Sequence, residues 1–231
     1  MRYGLSGEYL DQEGVVIGSD FKRYSLRANL DAKLSKRLTV KLNLNPSYTQ
    51  SNIMDESTSA LYTNYISESP INHAQLWPSY LPAHAADGGY YQYSSAVASP
   101  SWNPLAWVEN VTNRQRAIRL LGNINAEYKI TEELNVNVLI GSVMSSAHAL
   151  RFEPSLLALA GDGDFVPNIA MGADNTAMDL NWLTEYTANY RKTIAKHSIS
   201  GLAGFTAQKD RLETNFLTSN RYPNNLVPTL S

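Results

Sequence analysis

The chain has 231 residues, a formal net charge of −2 and only 17% charged residues. This balance argues against a nucleic-acid-binding protein, for which a basic patch or stripe is expected. The absence of cysteine excludes disulfides, thiolate metal sites and a cysteine nucleophile within this sequence.

The first predicted elements are a short strand at about residues 3–12 and a hairpin at residues 20–49 with a polar turn at 34–37. Both hairpin strands alternate between apolar and polar residues, with Leu30 and Leu42 on the apolar side. Residues that alternate with a period of two lie on opposite faces of a sheet. Strands in soluble proteins usually have about 5–6 residues, and each of these strands is longer. Their length is sufficient for the roughly 9–11 residues that a tilted strand needs to cross a bilayer.

Residues 50–115 form a long connection after this hairpin. A short helix is predicted at 55–69, before Pro70, and an aromatic-rich stretch follows. Its rings either stack on a ligand such as a sugar or, as is more common, pack the loop onto itself or onto a partner. The candidate substrate-binding residues are Trp77, Tyr80, Tyr91, Trp102 and Trp107.

Four more alternating strands are predicted at 116–129, 134–146, 180–191 and 197–208, which gives about seven in all. Short turns are predicted at 34–37, 130–133 and 193–196, and long connections at 50–115, 148–178 and from 211 onward. Tight turns on one rim and long loops on the other are typical of outer-membrane barrels. The sequence therefore predicts an all-β fold, namely an antiparallel transmembrane β-barrel segment with long extracellular loops.

Two phrases carry a resemblance to a known family. The first runs from Tyr9 to Tyr24 and continues through residues 27–31; the second is Asn103-Pro104-Leu105-Ala106, followed at a distance by residues 119–123. Both resemble SusC/RagA-like TonB-linked outer-membrane transporters, and the resemblance covers most of residues 3–145. It implies a barrel of about 22 strands with an N-terminal plug and a TonB box.

The same resemblance implies the function and the partners. These transporters import oligosaccharides or peptides through the bacterial outer membrane, with a SusD-like surface lipoprotein as a lid and energy from the TonB-ExbB-ExbD complex. Residues 1–231 are accordingly expected to be part of one barrel domain. Because no signal peptide, plug, TonB box or final barrel strand is recognised, the chain is interpreted as a mid-barrel fragment.

No catalytic residue, metal site or cofactor is predicted, so the chain is interpreted as a transporter and not an enzyme. The four histidines lack metal-ligand spacing, and the Gly161–Asp164 run is interpreted as a polar turn in preference to a calcium loop. Several cations on the polar faces either guide an anionic substrate, pair with Asp31, Glu127 or Glu185, or contact a plug. These cations are Arg23, Arg27, Lys33, Lys41, Arg119 and Lys129.

Two rival hypotheses remain open at this stage. A secreted soluble β-sandwich would bring the apolar faces together in a core and bind glycans through the aromatic loop. A passive porin would share the barrel but lack a plug and a TonB box.

Overall fold

The computed structural model describes residues 1–54, 70–91, 93–94, 101–155, 158–160, 165–167 and 170–226. Its elements are β1 (Arg2–Glu13), β2 (Asp20–Lys33), β3 (Leu38–Asn52), α1 (Pro70–Leu76), β4 (Tyr93–Ser94), β5 (Ser101–Trp102), α2 (Pro104–Asn110), β6 (Thr112–Lys129), β7 (Leu134–Glu153), β8 (Ala158–Ala160), β9 (Phe165–Pro167), β10 (Met171–Ile194) and β11 (His197–Asn220). The helix predicted at 55–69 and the Gly161–Asp164 run lie outside the described residues. Neither helix in these ranges has the length and apolarity to cross a membrane.

Seven long strands form one antiparallel sheet in the order β1-β2-β3-β6-β7-β10-β11. Each long strand pairs with the long strands before and after it along the chain, and two short hairpins, β4-β5 and β8-β9, lie in the connections. The predicted number of strands and their antiparallel order are confirmed. In the described part of the chain no second large sheet lies against this one, so the β-sandwich hypothesis is wrong.

Three strands are longer than their sequence pattern predicts. β7 continues to Glu153, β10 begins at Met171 and β11 ends at Asn220, where loops were expected at 148–178 and from 211 onward. The ladder between β10 and β11 is continuous from the turn up to the pair Met171–Asn220. Neither face of these extensions is consistently apolar, so hydrophobic alternation does not detect them although the backbone pairing persists.

The pairing register joins the apolar sides of all seven strands into one surface. Residues paired across antiparallel strands share a face, and Leu30 is opposite Leu42, which is opposite Ile124, which is opposite Ile140. We call this surface the outer face; it comprises the odd-numbered residues of β1 and β11 and the even-numbered residues of the other five strands. Many of its large side chains are exposed, Tyr3 by 84% and Phe205 by 63%, as expected of a surface that meets lipid.

The apolar part of the outer face has the height of a hydrocarbon layer. On β6 it runs from Ile118 to Tyr128, which are ten residues apart. A rise of about 3.4 Å per residue and a tilt of about 40° give a height of about 26 Å, against the roughly 25 Å apolar band of outer-membrane barrels. The tyrosines Tyr9, Tyr24 and Tyr48 stand side by side near the long-loop end, with ring centroids 4.9 and 6.2 Å apart. Such an aromatic row marks a membrane interface.

The short turns are staggered in the way that barrel closure requires. One row of paired residues starts at Lys33, beside the β2–β3 turn, and ends at Gly204 on β11; it passes through Thr39, Glu127, Asn137 and Thr187. Gly204 is seven residues beyond His197, where β11 begins. If the short turns share one rim, the strands must tilt relative to that rim, and this shear is a property of closed barrels.

The assignment of the outer face predicts opposite responses at two neighbouring positions. Arginine at Leu42 in the intact transporter should lower the stability of the barrel by about 2–4 kcal/mol, because it places a charge in the hydrocarbon layer. Arginine at Asn43, which faces the polar side, should be tolerated much better. The heat-modifiable folded fraction on gels measures both variants. Equal losses at the two sites would contradict the assignment.

Candidate functional site

The inner face, opposite the outer face, is rich in side-chain amides. Asn43 Nδ2 donates a hydrogen bond to Asn123 Oδ1 at 2.8 Å, and Asn135 Nδ2 donates to Glu127 Oε1 at 3.4 Å. An asparagine side chain offers both hydrogen-bond donors and an acceptor, so it can form hydrogen bonds with peptide groups and with sugar hydroxyls. The asparagines on this face include Asn29, Asn43, Asn45, Asn123, Asn125, Asn135, Asn137, Asn181 and Asn189.

The cations of the inner face differ in their partners. Arg23 Nη2 lies 2.6 Å from Glu8 Oε1, and Ser25 Oγ donates to the other oxygen of that carboxylate at 3.3 Å. This partner was not predicted, because Glu8 lies on β1, whose register the sequence does not show. Among the described residues, Arg27 and Arg119 form no ion pair. The three carboxylates that the sequence offered as partners, Asp31, Glu127 and Glu185, form none within the described residues either.

Asn103 organises the long connection between β3 and β6. Its Oδ1 accepts hydrogen bonds from the backbone N–H groups of Leu105 (3.0 Å) and Ala106 (3.3 Å), which caps α2 at its N-terminus. Its Nδ2 donates to the carbonyl oxygen of Ala83 at 2.7 Å. Pro104 follows at the first helical position, where no N–H is needed. The Asn-Pro-Leu-Ala phrase is therefore a helix start that also ties α2 to a distant segment.

The end of α2 and residues 83–91 form a small core. Trp107 is only 3% exposed, and Tyr90 and Val111 pack against it and Ala106. The Tyr90 hydroxyl donates to the Glu109 carboxylate, and this hydrogen bond raises the pKa of Tyr90 above its ordinary value. The backbone N–H of Ile53 donates a hydrogen bond to the carbonyl oxygen of Asn113 at 2.9 Å. This hydrogen bond joins the beginning of the connection to its end at β6.

A cavity of about 130 Å³ lies beneath α2, and Gly18, Ile53, Trp107 and Val111 are among its lining residues. Ligand pockets usually enclose about 300–1,000 Å³, so this cavity does not accommodate an oligosaccharide or a peptide. A Cβ atom on Gly18 would lie 3.2 Å from Val108 Cγ1, and Gly18 has a φ of +83°. The connection between β1 and β2 thus fits closely beneath the helix.

The predicted substrate-binding aromatics whose side chains the structure describes differ in burial. Trp77 is half-buried and its Nε1 donates to Leu81 O at 3.0 Å, whereas Trp107 is buried in the small core. Tyr80 and Tyr91 are exposed by 75% and 38%, so their rings are accessible. The side chain of Trp102 lies outside the described residues. Cargo binding by these residues stays a prediction, and Trp107 is placed to stabilise the loop.

Curated proteins with similar sequences are named TonB-dependent receptors. The chain is 29% identical over 213 residues to TonB-dependent receptor P26 of Formosa agariphila, covering 90% of the chain and 19% of that protein. It is 27% identical over 227 residues to TonB-dependent receptor P3 of the same organism, covering 98% of the chain and 22% of that protein. The chain thus spans about a fifth of these relatives' length. No protein-family model matches.

Solved structures share the fold at lower identity. The RagAB peptide importer in its closed-closed state aligns with a TM-score of 0.71 and 19% identity, covering 95% of this chain and 24% of that chain. The RagAB peptide transporter aligns with a TM-score of 0.72 and 18% identity, covering 97% and 24%. These likenesses concern the fold.

A single antiparallel sheet with an apolar outer face and a polar inner face defines a segment of a transmembrane β-barrel wall. The resemblance predicted from the sequence phrases is confirmed: the chain is similar in sequence to curated TonB-dependent receptors and shares its fold with part of the RagAB structures. The relatives are receptors and importers, not enzymes, which agrees with the expected function class.

The two roles of Asn103 can be separated with two variants of the intact transporter. Asn103→Asp retains an oxygen that caps α2 but loses the donor to Ala83 O, whereas Asn103→Ala loses both interactions. We expect Ala to weaken the loop by about 1–3 kcal/mol for a lost cap and bond together, and Asp to weaken it as well, because its buried carboxylate would face the Ala83 carbonyl oxygen without a donor between them. Limited proteolysis between residues 70 and 111 measures the loss. Exposed Gln75→Ala is the control, and equal cleavage in all forms would contradict the role of Asn103.

The turn at Asp87–Gly88–Gly89 should be reachable from outside the cell. Asp87 Oδ1 accepts from Gly89 N at 3.0 Å, Gly88 has a φ of +85°, and all three residues are exposed. A tag inserted after Gly88 in the intact transporter should therefore bind antibody on whole cells, since long barrel loops face outward. A tag in the turn at residues 130–133 is the matched control and should bind only after lysis. The reverse result would invert the topology.

Proposed function

We propose that this chain forms part of the barrel wall and an extracellular loop of a TonB-dependent importer in the bacterial outer membrane. The observation that carries the proposal is the two-faced sheet. Its outer face has no charged residue on β6 from Ile118 to Tyr128, whereas its inner face presents amides and cations over the same height. The names of the curated relatives support active import over a passive porin.

The proposed cargo is an oligosaccharide or a peptide. The amide-rich inner face supports this class, because neutral hydrogen-bonding groups bind either cargo weakly enough to release it. Several polar atoms on this face are available, since Arg27 and Arg119 have no ion pair among the described residues. The exposed rings of Tyr80 and Tyr91 supply apolar contacts at the loop. No covalent step is needed for transport.

The proposed partners follow from the same architecture. A SusD-like surface lipoprotein would dock on the extracellular connections, where α1, α2 and residues 83–91 form an ordered unit tied by Asn103. A plug would contact the inner face, and the TonB-ExbB-ExbD complex would act through N-terminal parts of the longer transporter. The outer edges of β1 and β11 would pair with further strands of one barrel domain, since lipid does not satisfy free backbone groups.

Uptake by the source bacterium tests the proposal. Cells with the intact transporter should accumulate a labelled oligosaccharide or oligopeptide, and deletion of the gene should reduce that uptake to background. Deletion of the TonB box alone should have the same effect while the barrel remains in the outer membrane. Uptake that survives loss of the TonB box would support a passive porin instead. Comparing the two cargo classes at equal concentration identifies the substrate.

A further inference from the structure

The outer face changes from apolar to charged at the long-loop end of the strands. Moving up from the short turns, the first charged residue on the outer face of β2 is Lys22, on β6 it is Arg116 and on β11 it is Lys209. On β6, Arg116 directly follows Ile118 on this face, and Arg114 follows Arg116. Basic side chains therefore border the apolar band on three of the seven strands.

These three cations stand at nearly the same height. Lys22 is 11 residues from Lys33, Arg116 is 13 residues from Lys129 and Lys209 is 12 residues from His197, each counted from the short-turn end of its own strand. With the rise and tilt used above, the corresponding height is about 29–34 Å. A bilayer's hydrocarbon core is about 30 Å thick, so this is the level of the lipid headgroups.

Most charged side chains near this border are already paired. Lys22 Nζ lies 3.3 Å from Asp11 Oδ2, His148 Nε2 lies 2.8 Å from Asp174 Oδ1, and Arg211 pairs with Glu213. Asp20, in the row that contains Arg114, accepts a hydrogen bond from Asn52 Nδ2 at 2.5 Å. Glu13 lies one strand beyond Asp20, on β1, and is therefore three strands away from β6.

Three cations of this border, Arg114, Arg116 and Lys209, have no such partner among the described residues, and we consider the two arginines because they are neighbours on one strand. Both are exposed, and neither forms an ion pair or a side-chain hydrogen bond within the described part of the chain. They are two residues apart on one face of β6, hence about 7 Å apart along the strand. At this spacing two long side chains can converge on one anion. The guanidinium group binds phosphate oxygens in a bidentate manner and holds its charge at every physiological pH.

We propose that Arg114 and Arg116 bind the phosphate group of an anionic lipid in the outer leaflet. The site is continuous with the apolar outer face, so a bound lipid would lay its acyl chains on Ile118 and Leu120 while its phosphate meets the two guanidinium groups. A free anion has no such reason to bind at the edge of a lipid-facing surface. This inference rests on the proposed membrane location of the protein, because it needs the long-loop end to face the outer leaflet.

Native mass spectrometry of the intact transporter in mild detergent tests the site. The probe is a phosphorylated glycolipid of the outer membrane, added back after delipidation. Arg114→Ser with Arg116→Ser should reduce the lipid-bound fraction at least about fivefold, since each basic residue near an anionic headgroup contributes separately. Arg119→Ser removes an unpaired arginine from the inner face of the same strand and should retain wild-type lipid binding. The same glycolipid without its phosphates should bind no better to wild type than to the double variant.

Each result decides between the site and its rivals. Equal lipid binding by the double variant and by Arg119→Ser overturns the proposal, as does undiminished binding of the dephosphorylated lipid. Displacement of the lipid by millimolar inorganic phosphate would assign the arginines to a soluble anion. If the double variant does not assemble, Arg116→Gln and Arg119→Gln are compared by the same measurement. If the wild-type protein is absent from the outer-membrane fraction, the proposed function is contradicted. If the variants are embedded in the membrane and their lipid binding is unchanged, only the proposed lipid site is contradicted.

Discussion

Satisfaction of the backbone hydrogen bonds within a thin apolar layer is the constraint on which the rest of this structure depends. Hydrocarbon offers no partner to a free N–H or C=O group, so each spanning strand must pair along its full length on both sides. β6, β7 and β10 meet this requirement through unbroken ladders with both neighbours, whereas the ladder between β2 and β3 is interrupted at residues 45–46, where Pro46 has no N–H to donate. With the backbone satisfied, the side chains alone decide what each face meets.

The two faces and the loop follow from that arrangement. Because the period of a strand is two, apolar residues such as Leu42 line the outer face while Asn43 and Asn123 build a polar inner wall. The height of the apolar band then fixes where charge is permitted, and Arg116 stands immediately above Ile118. Beyond the apolar band, the connection between β3 and β6 forms an ordered unit, which Asn103 holds together through its cap and its bond to Ala83.

Sequence alone predicted the spanning parts of the strands, because lipid on one side and water on the other impose strict alternation there. It did not predict that β10 begins at Met171 or that β11 reaches Asn220, since each face of these extensions mixes polar and apolar residues. The Asn-Pro-Leu-Ala phrase was found as a resemblance, yet its role needed the contact with Ala83, twenty residues earlier. The pairing of Arg23 with Glu8 likewise depends on the β1–β2 register. Loop aromatics were chosen by residue type, which does not distinguish buried Trp107 from exposed Tyr80.

The central claim is that the apolar face of this sheet meets lipid. Nitroxide labels at single cysteines along residues 118–128 of β6, in the intact transporter reconstituted into liposomes, test it most directly. Collision with oxygen, which concentrates in hydrocarbon, should be high at the even positions and low at the odd ones. A water-soluble nickel chelate should show the opposite pattern. Accessibility without a period of two, or highest oxygen collision at Asn123 and Asn125, would contradict the account.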